Sequence, residues 1–111
     1  MDNIGAVPEI VSAGEKTKVI LHEDLDLYSV PVVRPIIMEA IETHPAGEFV
    51  IDLSEVIFVD SAGLALLLAL RKNPSLDGRL SVIVAEESHP QRVLQMTHLD
   101  TYINVIASPV A

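Results

Sequence analysis

The chain has no cysteine and no tryptophan among its 111 residues, and only two phenylalanines and two tyrosines. Without cysteine there is no disulfide framework, no thiol nucleophile and no cysteine-based zinc site, and a reducing compartment is permitted, so the cytoplasm is the expected location. Basic residues are scarce: seven Lys+Arg stand against 16 Asp+Glu, a formal net charge of -9. That balance opposes contact with a phosphate backbone, and no nucleic-acid partner is expected. Long apolar runs are missing as well. The longest, Ala62 to Leu70, has nine residues, against the roughly 20 that span a bilayer, so no direct membrane insertion is expected. The first residues, MDNIGAVPEIVSAGEK, are acidic and interrupted by Gly and Pro, unlike the basic and then apolar order of a secretory signal.

What is present suffices for one core. Apolar residues make up 50% of a chain the size of one ordinary domain, with no internal repeat, low-complexity tract or linker-like shift. Residues 1–111 read as a single domain with its core at about 17–107, and 1–7 and 108–111 are expected to be flexible. Lys18 to His22, Glu48 to Leu53 and Leu80 to Ala85 are apolar or β-branched runs that predict strands,. Glu9 to Val11 and Ile103 to Ile106 are weaker candidates for a first and a last strand.

Three helical patterns lie between them. Val32, Val33, Ile36, Ile37, Ala40 and Ile41 form one apolar stripe, and Pro35, tolerated only early in a helix, places the regular start near Val32 and the end at Thr43. From Ser61 to Arg71 the residues are almost all Leu and Ala until Asn73-Pro74; a helix apolar all round is expected to be buried. Pro90 to Met96 is short, with Val93, Leu94 and Met96 on its inner side. Strand and helix alternate, which predicts an α/β fold: a central, mostly parallel sheet of 4–5 strands with 3–4 helices packed on it. Met38 and Met96 read as core or core-edge filler, Tyr28 and Tyr102 as local packing in preference to partner contact, and Glu86 and Glu87 as a solvated loop.

Chemistry concentrates at VDSAGLALL, Val59 to Leu67. In a parallel sheet, ligands and partners meet the turn between the carboxyl end of a strand and the next helix. Asp60 or Ser61 at that turn caps the helix, or Ser61 is a serine that a partner reads; Gly63 lets backbones approach closely. Catalysis finds little support. Val59 occupies the place of the first glycine of a hydrolase elbow G-x-S-x-G, so a small serine hydrolase is a remote alternative. His22, His44, His89 and His98 have no spacing that marks a triad or a metal site, and no phosphate-binding loop motif is present,. No catalytic residue, metal or cofactor is assigned.

The string FVIDLSEVIFVDSAGLALLLALRK, Phe49 to Lys72, resembles the STAS domain, the fold of bacterial anti-sigma factor antagonists. The resemblance rests on Asp52-Leu53-Ser54 followed by Asp60-Ser61-Ala62-Gly63-Leu64. Glu23-Asp24-Leu25-Asp26 is similar to the segment that leads into the family's first helix, and Arg92-Val93-Leu94 with Thr97-His98-Leu99 to a late segment.

The resemblance implies that Ser61 is phosphorylated by an anti-sigma factor that doubles as a serine kinase. The unphosphorylated domain docks on that partner and phosphate releases it, with Asp60, Ser61, Ala62, Gly63, Leu64, Asp24 and Asp26 at the contact. Asp26 reads equally as a cap on the turn before the first helix. Ala62 replaces a second hydroxyl found in many family members, which leaves Ser61 alone in this turn. Glu23 and His98 stand where the family has glycines, so a positive φ there would have to change. The same string also resembles the STAS subunit of bacterial lipid-transport ABC complexes, which implies docking on an ATPase subunit and no sigma factor. The oligomeric state is left open.

Overall fold

Two β-branched runs, Glu48–Leu53 (β3) and Leu80–Ala85 (β4), pair in parallel inside a five-stranded sheet. The structure is a computed structural model and describes residues 7–109. The remaining strands are β1 (Glu9–Ala13), β2 (Lys16–Ile20) and β5 (Asn104–Ser108), and the spatial order is β1-β2-β3-β4-β5. Only β1 and β2 pair antiparallel; the other three pairings are parallel. The helices are α1 (Val30–Thr43), α2 (Ser61–Lys72) and α3 (His89–Met96). This is the predicted single α/β domain.

All three helices lie on one face of the sheet. Val33, Ile37 and Ile41 of α1, Leu66, Leu67 and Leu70 of α2 and Leu94 of α3 share one core with Val19, Phe49, Ile51, Leu53, Val82 and Val84. Each strand is added on the same side of the one before it, and right-handed crossovers then put every connecting helix on the same face. Fully burying a side chain such as Phe49 or Ile51 contributes about 1.5–3 kcal/mol, and both are inaccessible to solvent.

Several boundaries move for physical reasons. β2 occupies Lys16–Ile20 rather than Lys18 to His22; Thr17 and Val19 face the core in alternation, and His22 has left the strand. α1 starts at Val30, with Pro31 in its first turn, where amide hydrogens lack partners anyway, and Pro35 is held inside the helix,. β5 runs on to Ser108, which pairs with Ala85, so the flexible tail expected from 108 does not begin there. Residues 1–6 and 110–111, which that expectation also covered, lie outside the described residues.

The expectation of a wholly buried α2 is corrected: Ser61, Ala65, Leu68, Arg71 and Lys72 are exposed and only Gly63, Leu66, Leu67 and Leu70 are buried. One sheet covers one side of the helix and leaves the other in water. Met96, Tyr28 and Tyr102 are exposed too, against the packing roles expected of them, whereas Met38 packs against the core. His98 keeps a left-handed conformation, φ 61, a region that histidine enters more readily than most residues. Glu23 is not among the described residues with positive φ.

Candidate functional site

β2 and β3 are adjacent and parallel, so the segments that follow them leave the sheet at the same carboxyl edge. Residues 21–29 and 54–60 are stitched together there. The Leu25 amide donates to the Phe58 carbonyl at 3.0 Å, and the Asp60 amide donates to the Leu25 carbonyl at 3.2 Å, an isolated parallel bridge centred on Leu25 and Val59. Within the chain's Asp52-Leu53-Ser54, the Asp52 carboxylate accepts from the Ser54 amide at 2.9 Å and closes the turn that leaves β3.

Asp60 is the N-cap of α2. Its Oδ1 accepts from the Gly63 amide at 3.0 Å, and its Oδ2 accepts from the Leu27 amide at 2.9 Å. One carboxylate therefore starts a helix and anchors the neighbouring segment, two uses of an ionised oxygen pair. The hydrogen bond from Gly63, and after it the one from Leu27, hold the Asp60 carboxyl below its ordinary value of 3.8 against an opposing effect of burial. A depressed folded value contributes stability that is present above 3.8 and lost as pH falls through that folded value,. We expect the denaturant midpoint of the wild type to exceed that of Asp60→Asn at neutral pH. The gap should close on acidification; a gap that is constant with pH would remove the ionised cap from the account.

Because Asp60 takes the cap, Ser61 is released from it. Ser61 is the first residue of α2, exposed, and its hydroxyl forms no hydrogen bond among the described residues. Of the two readings open for this turn, the structure gives capping to Asp60. Ser61→Ala should accordingly change the unfolding free energy by less than about 0.5 kcal/mol, as at other exposed sites, measured by urea denaturation.

The remaining predicted residues divide. Asp26 Oδ1 accepts from the Tyr28 and Ser29 amides at 3.0 and 2.9 Å, so it caps the turn before α1. Asp24 is exposed, and its carbonyl accepts from the Ser29 hydroxyl at 2.6 Å. Ala62 is half-buried, and half-buried Leu64 packs against the core. Gly63 is buried, and a Cβ there would meet the Leu25 carbonyl oxygen and lie 2.9 Å from Val59 Cγ1. It shapes the turn.

Sequence reasoning missed the apolar collar on the same two segments and the start of α1. Leu27, Tyr28 and Ile57 are 64%, 84% and 79% exposed, with Val32 and Phe58 also open. It missed His89 as well. The Val59 amide donates to His89 Nδ1 at 3.2 Å, which puts the ring proton on Nε2, and the ring stacks on Phe58 at 4.9 Å. This ties the first turn of α3 to the segment before Asp60. No local signal marks it, since His89 lies 30 residues from Val59.

His22 braces the neighbouring strand. Its Nδ1 lies 2.9 Å from Glu55 Oε1 and its Nε2 lies 2.8 Å from Glu9 Oε1. A neutral imidazole has one N–H for two carboxylates, so the pair of contacts favours the imidazolium. The hydrogen bond to Glu55 raises its pKa above 6.5, burial opposes that rise less strongly, and the hydrogen bond to Glu9 adds to it. A raised folded value contributes stability that is fully present below 6.5 and lost as pH rises through the folded value,. His22→Gln should therefore lower Tm most at mildly acidic pH and least at alkaline pH; the reverse order would show that the brace works uncharged. Among the described residues no cluster of His, Asp and Glu could hold a metal ion, and no helix is long and apolar enough to cross a membrane.

A five-stranded, mostly parallel sheet with three helices on one face is the α/β architecture expected of the STAS class. The chain belongs to that family: the family model described as "Mlab, STAS domain" matches residues 9–107. The fold is similar to that of an anti-sigma factor antagonist from Mycobacterium paratuberculosis, with a TM-score of 0.81 at 21% identity over 90% of this chain and 84% of that one. A putative anti-sigma factor antagonist from Thermotoga maritima gives 0.74 at 16% identity over 91% and 86%. The Bacillus cell fate determinant SpoIIAA, in its phosphorylated form, gives 0.61 at 22% identity over 95% and 92%. At these identities the likeness is one of fold.

Proposed function

We propose that this domain is an anti-sigma factor antagonist, non-enzymatic, which docks on an anti-sigma factor with serine kinase activity and is released by phosphate on Ser61. The observation that carries the reading is the division of labour at the turn: Asp60 caps α2, and the Ser61 hydroxyl is left exposed and unbonded among the described residues. A kinase can reach that hydroxyl without unfolding anything. Leu27, Tyr28, Ile57 and Phe58 give a docking partner apolar surface on the two segments that meet at the Asp60 cap, and Val32 adds to it at the start of α1. Isolated exposed apolar residues are ordinary, whereas several together mark contact surfaces.

A second reading, a docking subunit on the ATPase of a lipid-transport ABC complex, is favoured by the exposed Ser61, Ala65 and Leu68 along one side of α2. That line offers a helix-long contact that needs no phosphate. Recovery of the tagged protein from its own cells, with the intact mass of the bait measured, separates the two. The antagonist reading expects co-recovery of a serine kinase that holds a sigma factor, and a one-phosphate mass increase that disappears in Ser61→Ala. Recovery of transporter subunits with an unmodified bait would overturn it.

A further inference from the structure

The far end of α2, about 16 Å from Ser61 at 1.5 Å per helical residue, borders a cleft separate from the carboxyl edge of the sheet. Leu68, Leu99 and Tyr102 supply its apolar wall, Arg71 and Lys72 stand beside them, and the space measures about 280 Å³. Leu68 and Tyr102 are 37% and 63% exposed, so the wall is open to water.

The charge at this cleft is unlike that of the rest of the chain. Two of only seven basic residues, against 16 acidic ones, stand side by side here. Arg71 Nε donates to the Tyr102 carbonyl at 2.6 Å, which fixes the guanidinium at the rim. Among the described residues, neither Arg71 nor Lys72 takes part in an ion pair. Cations in the last turn suit the helix dipole, but the dipole gives no reason for the apolar wall next to them.

Charge and size together select the occupant. An anionic group matches the two cations, and an alkyl chain matches Leu68, Leu99 and Tyr102. The volume falls just below the roughly 300–1,000 Å³ of drug-sized sites, which suits a short chain better than a docked helix. We propose that this cleft binds a medium-chain monocarboxylate, its chain against Leu68, Leu99 and Tyr102 and its carboxylate on the terminal nitrogens of Arg71 and Lys72 Nζ. The inference goes beyond the partner switch and is independent of Ser61.

The probe is sodium decanoate, titrated below its micelle concentration into the full chain labelled with ¹⁵N and ¹³C-methyl groups. Saturable shifts are expected at Leu68, Leu99, Lys72 and Tyr102, with a Kd of about a millimolar for a ligand of this size. Octanoate, two methylenes shorter, should bind about fifteenfold more weakly, since each buried methylene is worth about fourfold. Lys72→Gln, which leaves the bond between Arg71 and Tyr102 intact, should weaken decanoate about fivefold through loss of a charge-assisted contact. Decyltrimethylammonium, with the same chain and the opposite charge, should not saturate the site. The proposal is overturned if decanoate shows no saturation up to about 10 mM, or if the cation binds equally well. Binding of an acidic leucine-containing peptide where decanoate does not bind would overturn it too and assign the cleft to a protein partner.

Discussion

Gly63→Ala is expected to lower the stability of this domain by about 3 kcal/mol, the upper end for overpacking a close contact, and its Tm by roughly 10–15 °C. The added methyl carbon has nowhere to go. It would overlap the Leu25 carbonyl oxygen, lie 2.9 Å from Val59 Cγ1 and 3.0 Å from Leu25 Cγ. The first obstacle is backbone, which no rotamer change can move aside. That carbonyl also accepts the Asp60 amide at 3.2 Å, so pushing it away breaks the bridge between the two segments and shifts the cap. Alanine's better helix propensity returns only about 1 kcal/mol. Thermal unfolding followed by circular dichroism measures the loss. A fall of less than about 1 kcal/mol, within the range of ordinary substitutions, would show that the segment ahead of α1 yields freely, contrary to the stitched edge described above.

Phosphate on Ser61 is expected to weaken docking at least a hundredfold while leaving Tm within a few degrees. The two halves of that expectation have separate causes. At the first position of α2 the free amide hydrogens and the helix dipole favour negative charge, so the folded domain accommodates a phosphate. At the contact the same group brings about -1.5 to -2 charges and three acceptors. It does so next to Asp60 on a chain whose formal net charge is -9. A partner shaped for a small hydroxyl among Leu27, Tyr28 and Phe58 would have to bury that charge unpaired, which costs several kcal/mol. A hundredfold needs about 2.7 kcal/mol. Calorimetric titration of the purified partner with phosphorylated and unphosphorylated protein tests this directly. Equal affinities would sink the switch, and a large fall in Tm would mean that phosphate acts by unfolding the edge instead.

The parts of the fold that were legible in the sequence are those whose pattern is local. β3 and β4 were predicted with their observed ends, because Glu48–Leu53 and Leu80–Ala85 are β-branched runs between turn residues. α2 begins at Ser61 as expected. β2 was placed two residues late because Lys16 and Thr17 look polar, although Thr17 is 3% exposed and takes a core position by alternation. At the site, Asp60 and Ser61 were found but their duties were left open, since which of two neighbouring side chains caps a helix depends on backbone angles. The reach of Asp60 to the Leu27 amide and of His89 to the Val59 amide spans 33 and 30 residues. Contacts of that length have no periodicity to read. The one-sided exposure of α2 was hidden for a different reason: a run of Leu and Ala shows that a helix can be buried, and only the number of layers around it decides on how many sides.

The sheet order, β1-β2-β3-β4-β5, is also the order in which the ribosome releases the strands. Every strand pairs only with its neighbours in sequence, so each new strand and helix can dock on a finished template as it emerges, without waiting for a distant segment. The nascent sheet has one growing margin. Until Asn104–Ser108 is free of the exit tunnel, that margin is β4, whose Ser81 to Ala85 backbone has yet to meet its last partner. In the interval between the synthesis of β4 and that of β5, the edge of β4 is therefore open to pairing with another chain.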